Sequence, residues 1–208
     1  MRKIVIFDFD GTLADSFPWF VARINQVARI FHFNEVKEED LPRLRLMRTS
    51  EILNYLGISK IKLPFVIFYL KRLMSRESHS INLFPEVPAL LKDLKKEGFD
   101  ILVLSSNSKS NVIKILGPAS EMVTAYYCGA GLNSKNKHFK QVMKTFSDSQ
   151  FLSVGDEYRD YEAARQVGIA HINVSWGYAS REAFGDLLVV DTFEDLHVRI
   201  LRYFNMKS

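Results

Sequence analysis

Lys3-Ile4-Val5-Ile6-Phe7-Asp8-Phe9-Asp10-Gly11-Thr12 is the stretch from which the fold is read. Lys3 to Phe9 is β-branched and aromatic with no polar alternation, the pattern of a strand buried on both faces, as in a parallel sheet. It closes on two carboxylates. Open parallel sheets bind ligands beyond the carboxyl ends of their strands, so Asp8 and Asp10 stand where a site is expected. In an extended chain, residues two apart share a side, and two carboxylates that close need a cation or a shared proton. Gly11 lets the backbone turn sharply after them.

Further along, short apolar runs alternate with helical patterns. Strands are expected at Asp100–Ser105, Val123–Cys128, Phe151–Gly155, Ile169–Val174 and Leu187–Val190. Helices are expected at Glu86–Glu97, Val112–Leu116, Lys137–Phe146, Tyr158–Val167 and Phe193–Tyr203, with Gly98 and Gly168 as stops. The alternation predicts an α/β fold: a Rossmann-like, doubly wound parallel sheet with right-handed crossovers and helices on both faces. Asp15 to about Phe84 breaks the rhythm, with helical patterns and no buried strand. Phe20, Ile24, Val27 and Phe31 recur at helical spacing. Thr49-Ser50 would cap a helix carrying Ile52, Leu53 and Leu56, and Pro64 suits the first turn of another through Phe65, Phe68, Tyr69 and Met74. The expected organisation is a core of residues 1–14 and 85–208 with an α-helical cap, residues 15–84, inserted into it.

The 208 residues are 47% hydrophobic and 25% charged, which excludes a disordered or collagen-like chain. A net charge of +4 is too small to argue for a nucleic-acid partner. Cys128 is the single cysteine, so no internal disulfide forms, and its place after Tyr126-Tyr127 suits a buried strand. The first apolar run stops at Asp8, short of a signal peptide's core, and no run approaches the ~20 residues of a membrane span. A cytoplasmic chain without a membrane partner is expected, as monomer or homodimer. Charge is unevenly spread: Leu41 to Arg76 holds Arg43, Arg45, Arg48, Lys60, Lys62, Lys71, Arg72 and Arg76 against Glu51 alone. That run is either a solvated helix face or a lid that draws in an anion.

Three further groups follow predicted strands. Ser105-Ser106-Asn107-Ser108 puts a hydroxyl and an amide at a strand tip, able to donate to phosphate oxygens or simply to form a turn. Ser134-Lys135-Asn136-Lys137 offers a lysine to neutralise an anion. Gly155-Asp156-Glu157-Tyr158-Arg159-Asp160 supplies a second acidic group, which suits a helix N-terminus as well as a metal. Asp8, Asp10, Asp156 and Asp160 together are the hard oxygen donors that Mg²⁺ prefers. Gly129-Ala130-Gly131 starts a dinucleotide-type loop but does not complete G-x-G-x-x-G, since position 134 is Ser.

This order of motifs resembles the haloacid dehalogenase superfamily, and specifically its phosphoglycolate phosphatase-like branch with a helical cap. Asp8-Phe9-Asp10-Gly11-Thr12-Leu13 is similar to its first motif, Ser106-Asn107 to its second, Lys135 to its third, with Lys137 as runner-up, and Gly155-Asp156 through Asp160 to its fourth. The third departs from the pattern, because Asn136 stands where Pro often follows the lysine. The resemblance implies a Mg²⁺-dependent phosphatase acting on a small phosphorylated metabolite. It makes Asp8 the nucleophile, Asp10 the acid and base, and Lys135 the counter-charge. Gly11, Thr12, Ser106 and Asn107 would bind substrate. Asp8, Asp156, the backbone carbonyl of Asp10, and Asp160 would hold the metal. One of Arg43, Arg45 and Arg48 would reach a second anionic group of the substrate. A phosphomutase with the same nucleophile and an inactive binding protein of the same fold are the alternatives. A receiver domain is disfavoured, because it has no helical insert after its first strand.

Overall fold

The protein is described by a computed structural model covering residues 1–129 and 135–206. In chain order it comprises β1 (Arg2–Phe7), α1 (Phe17–Phe31), α2 (Leu41–Leu44), α3 (Thr49–Tyr55), α4 (Leu63–Glu77), α5 (Val87–Lys96), β2 (Phe99–Ser105) and α6 (Lys109–Leu116). There follow β3 (Ala125–Cys128), α7 (Lys135–Thr145), β4 (Ser149–Gly155), α8 (Tyr158–Gln166), β5 (Ala170–Val174), β6 (Val189–Val190) and α9 (Phe193–Asn205). The strands form one sheet in the order β3-β2-β1-β4-β5-β6, and every neighbouring pair is parallel.

The lack of polar alternation in β1 has a direct cause. Ile4 and Ile6 pack on one face with Leu102, Leu104, Phe139 and Val142, beneath α7 and α8. Val5 and Phe7 pack on the other with Leu91, Leu94, Val103 and Phe204, beneath α5 and α9. Full burial of such side chains contributes about 1.5–3 kcal/mol each, so the strand is pinned from both sides. Phe7 pairs with Val103 of β2 and Val154 of β4, so these three strands end within two residues of one another. The strand order reverses at β1, and the crevice opens beyond that reversal.

The chain leaves and re-enters this core at one point. Ala14 and Leu83 form an antiparallel bridge, Asp15 N–H donates to the Asn82 carbonyl at 2.9 Å, and Phe84 N–H to the Leu13 carbonyl at 3.0 Å. Between them α1 packs on α4. Glu77 ties the pair together, accepting from Trp19 Nε1 and from Arg23 Nε at 2.8 Å each.

Several boundaries differ from expectation. β1 ends at Phe7, not Phe9, because the chain turns: Leu13 and Ala14 N–H both donate to the Phe9 carbonyl. β3 starts at Ala125, since the Val123 N–H is taken by the Ser120 carbonyl. Thr49-Ser50 lie inside α3; the start is held instead by the Glu51 carboxylate, which accepts from Arg48 N–H at 2.7 Å. In α4, Val66 and Met74 turn inward, while Phe65 and Phe68 face solvent. Ala130, Gly131 and Ser134 lie outside the described residues. Among the described residues, no helix is long and apolar enough to cross a membrane.

Candidate active site

Three buried carboxylates converge beyond β1 and β4. Asp8, Asp156 and Asp160 each place an oxygen within 4.8 Å of the others. Asp8 follows β1 and Asp156 follows β4, so the sheet register sets their approach. Asp160 reaches the group from the first turn of α8, where its Oδ2 also accepts from Glu157 N–H at 3.2 Å. Asp156 is held by two donors: Thr12 Oγ1 at 2.7 Å and Tyr178 N–H at 2.7 Å. Gly11 and Gly177 leave room for it; a Cβ on either would come 2.2 Å from Asp156 Oδ2. Gly11 also has φ +80, a conformation other residues rarely adopt.

Lys135, itself buried, enters from α7. Its Nζ lies 2.8 Å from Asp8 Oδ1 and also contacts Asp160 Oδ1. Lys137, two residues on, is exposed. Burial pushes the Asp8 carboxyl up to about 7, against the attraction of Lys135. Burial beside Asp8, Glu157 and Asp160 pushes Asp156 well above the carboxylate range. Burial acts on Asp160 too, but Lys135 and Arg159 outweigh it and hold its pKa low. One lysine does not neutralise three carboxylates. The oxygen donors and their mutual distance fit a hard divalent cation such as Mg²⁺, which would favour their charged forms. The Asp10 carboxylate stands outside this group.

Asp10 has its own partners. Its Oδ2 accepts from Asn107 Nδ2 at 3.3 Å, and burial raises its pKa against the hydrogen bonds of Ser16 and Asn107. Asp10, Ser106 and Asn107 open onto a cavity of about 470 Å³. Its far walls come from the inserted helices, including Ile24, Val66 and Met74.

The expected substrate contacts are distributed differently. The Thr12 hydroxyl is spent on Asp156, so it orients a carboxylate. Arg43 is exposed and lines no part of the cavity. Arg45 lines it, yet its guanidinium donates to the carbonyls of Gly177 at 2.9 Å and Tyr178 at 3.2 Å and lies over the Phe17 ring. Arg48 stacks on Tyr158 at 4.3 Å and approaches Glu162 at 3.8 Å. The inserted helices are thus latched to the core loops by the residues expected to meet substrate. Thr49 adds to the latch, donating to Glu157 at 3.1 Å.

Sequence reasoning passed over Tyr178, and named Lys71 and Arg159 only within the basic run and the second acidic group, without a role of their own. Tyr178 follows β5, and the carboxyl-end rule applied to Val174 would have reached it. Its hydroxyl lies 3.1 Å from Ser16 Oγ, and its ring packs on Phe17 and Phe20. Arg159 pairs with Glu157 at 2.5 Å.

A parallel sheet reversing at an acidic strand end, with a buried lysine among the carboxylates and a helical insert over the crevice, defines a class. The chain belongs to the haloacid dehalogenase-like hydrolases, whose family model matches residues 5–174. It is a phosphoric monoester hydrolase of the phosphoglycolate phosphatase-like branch. A phosphoglycolate phosphatase of Synechococcus elongatus is 32% identical over 185 residues, covering 87% of each chain. The pyrophosphatase PpaX of Bacillus mycoides is 22% identical, covering 92% of this chain and 94% of the relative. The crystal structure of a predicted phosphatase from Clostridium acetobutylicum matches with a TM-score of 0.79 at 21% identity, covering 97% of this chain and 99% of that one.

Proposed function

We propose that this phosphatase is Mg²⁺-dependent, works through an aspartyl-phosphate on Asp8, and takes 2-phosphoglycolate as substrate. The observation that carries the reading is Asp8 itself: a buried carboxylate at the central strand's end, with Lys135 at 2.8 Å and two further acids around it. The likeness to the Synechococcus enzyme supports the substrate.

Asp8, Asp156 and Asp160 would hold the cation, which supplies positive charge to offset phosphate–carboxylate repulsion and stabilise the transferring group. Asp8 oxygen attacks phosphorus in line; that O–P bond forms as the bond to the leaving oxygen breaks. Asp10 delivers a proton to the leaving oxygen, and its raised pKa suits it to carry one. Asp10 then takes a proton from the water that attacks phosphorus, releasing phosphate and restoring Asp8. Lys135 stands between Asp8 and Asp160 and favours the charged form of each. Ser106 faces the same cavity as Asp10 and would donate to phosphate oxygen. The helical insert would exclude bulk water while the phosphoryl group is transferred to Asp8, and would select the leaving group.

The test is phosphate release over a panel of phosphorylated metabolites, with chelator, with Mg²⁺ and with Ca²⁺. Phosphoglycolate should rank first, EDTA should abolish release, Mg²⁺ should restore it and Ca²⁺ should not. Asp8→Asn should remain folded and release phosphate at less than about a hundredth of the wild-type rate, since an amide is a poor nucleophile. Turnover above that level, or full activity after exhaustive chelation, refutes the mechanism.

A further inference from the structure

Four cationic side chains line the cavity: Arg45, Arg48, Lys71 and Arg159. Three are committed. Arg45 is bonded to two core carbonyls, Arg48 is stacked on Tyr158, and Arg159 is paired with Glu157. Among the described residues, the Lys71 ammonium has no hydrogen bond and no ion pair.

Lys71 is also placed with care. It lies on α4, four residues after Ile67 and three before Met74, on the face both turn to the cavity. Its backbone is tied to the core, because Asn111 Nδ2 donates to the Lys71 carbonyl at 3.1 Å. The same amide donates to Asn107 Oδ1 at 3.0 Å, and Asn107 in turn donates to Asp10. Asn107 and Asn111 are buried. A short amide chain therefore fixes the Lys71 backbone relative to Asp10, and Asp10 is a charge that acts on the ammonium. A half-buried ammonium in a chamber walled mostly by apolar groups loses hydration, a cost that an anionic ligand offsets.

We propose that Lys71 is a specificity-determining residue: it receives a second anionic group, a carboxylate or a phosphoryl, on the leaving-group side of the substrate. The inference rests on the phosphatase reading, in which Asp10 faces the leaving oxygen. A cation on the cavity wall that Asp10 shares then meets the leaving group and not the transferred phosphoryl, which Lys135 already serves. The competing account is that Lys71 only adjusts Asp10. That account predicts equal loss on all esters.

The experiment uses the full chain with Mg²⁺ and compares kcat/KM for 2-phosphoglycolate, pyrophosphate and ethyl phosphate in wild type, Lys71→Met and Lys71→Arg. Phosphoglycolate carries a carboxylate on its leaving group, pyrophosphate a phosphoryl, and ethyl phosphate no second charge. Lys71→Met should lower the ratio of at least one charged substrate to ethyl phosphate by about tenfold or more, mainly through KM, the scale of one charge-assisted contact. The substrate whose ratio falls identifies the anion. Lys71→Arg should recover most of the lost ratio. Because each ratio is taken within one protein preparation, a partly unfolded variant does not imitate the effect. Ratios within twofold of wild type for both charged substrates, including parallel losses on all three, overturn the proposal while leaving the phosphatase reading standing. Wild-type protein that releases phosphate from none of the three refutes that reading and this inference with it.

Discussion

Lys135 stands between Asp8 and Asp160, with its ammonium 2.8 Å from one carboxylate and in contact with the other. All three side chains are less than a tenth exposed. The lysine therefore has a structural duty as well as a chemical one: it is the cation the described residues provide directly to the acid cluster.

Replacing Lys135 with Met should leave two buried carboxylates without that partner. Loss of one member of a buried charge pair costs about 3–5 kcal/mol. Urea unfolding of Lys135→Met in chelator should show a loss of this order, and saturating Mg²⁺ should recover part of it, because a ligand that binds only the folded state stabilises it. Unchanged stability in chelator would show that the cluster does not depend on the lysine.

Gly177 touches the metal-binding candidate and the first turn at once. A methyl there would sit 2.2 Å from Asp156 Oδ2 and 2.4 Å from the Gly11 carbonyl oxygen. Gly177→Ala must displace one of them. A shift of about 1 Å at such a site costs on the order of a hundredfold in rate. The expected outcome is a large fall in kcat with a stability loss of about 1–3 kcal/mol. Activity within a fewfold of wild type would mean that Asp156 tolerates displacement.

Cys128 is poised to resist alkylation. Burial pushes its thiol up to about 11, outweighing the attraction of Lys109. The thiolate is the reactive form, so at pH 8 only about one thiol in a thousand reacts, against roughly a quarter for an ordinary cysteine. Because the pKa is raised, reactivity must climb with pH. The rate with iodoacetamide should rise about tenfold per unit between pH 8 and pH 10. A rate that levels off below pH 9 would place the thiol near its ordinary value.

What the sequence disclosed about the site came from two sources: the rule that ligands sit beyond the carboxyl ends of parallel strands, and the order of motifs. Asp8, Ser106 and Asp156 follow strands directly, and an apolar run with its end residue is a local feature. Lys135 was reached by the order of motifs, and its burial distinguishes it from Lys137 only in three dimensions. The inserted helices were less legible. A basic run reports composition, not direction, so Arg43, Arg45 and Arg48 could not be told from Lys71. Arg45 points to carbonyls more than 130 residues away in sequence. In α4, Phe65 and Phe68 look like core residues by type, yet Val66 and Met74 take the inner face, because the partner helix α1 decides which stripe is covered. That Asp10 stays out of the carboxylate cluster was hidden for a similar reason: the alternation argument holds only while the strand continues, and the Phe9 carbonyl ends it by gathering the following N–H groups.

The bridge between Ala14 and Leu83 makes everything between those residues a closed excursion of the backbone. The two ends are already neighbours, so the sheet does not register how long the excursion is. Closure entropy grows slowly with length, by only about 0.6 kcal/mol for each doubling. The backbone path at this seam therefore puts little restriction on the size of the segment inserted there. The backbone thus enters and leaves the insert across two hydrogen bonds, and the insert's grip on the core loops comes from the side chains of Arg45 and Thr49.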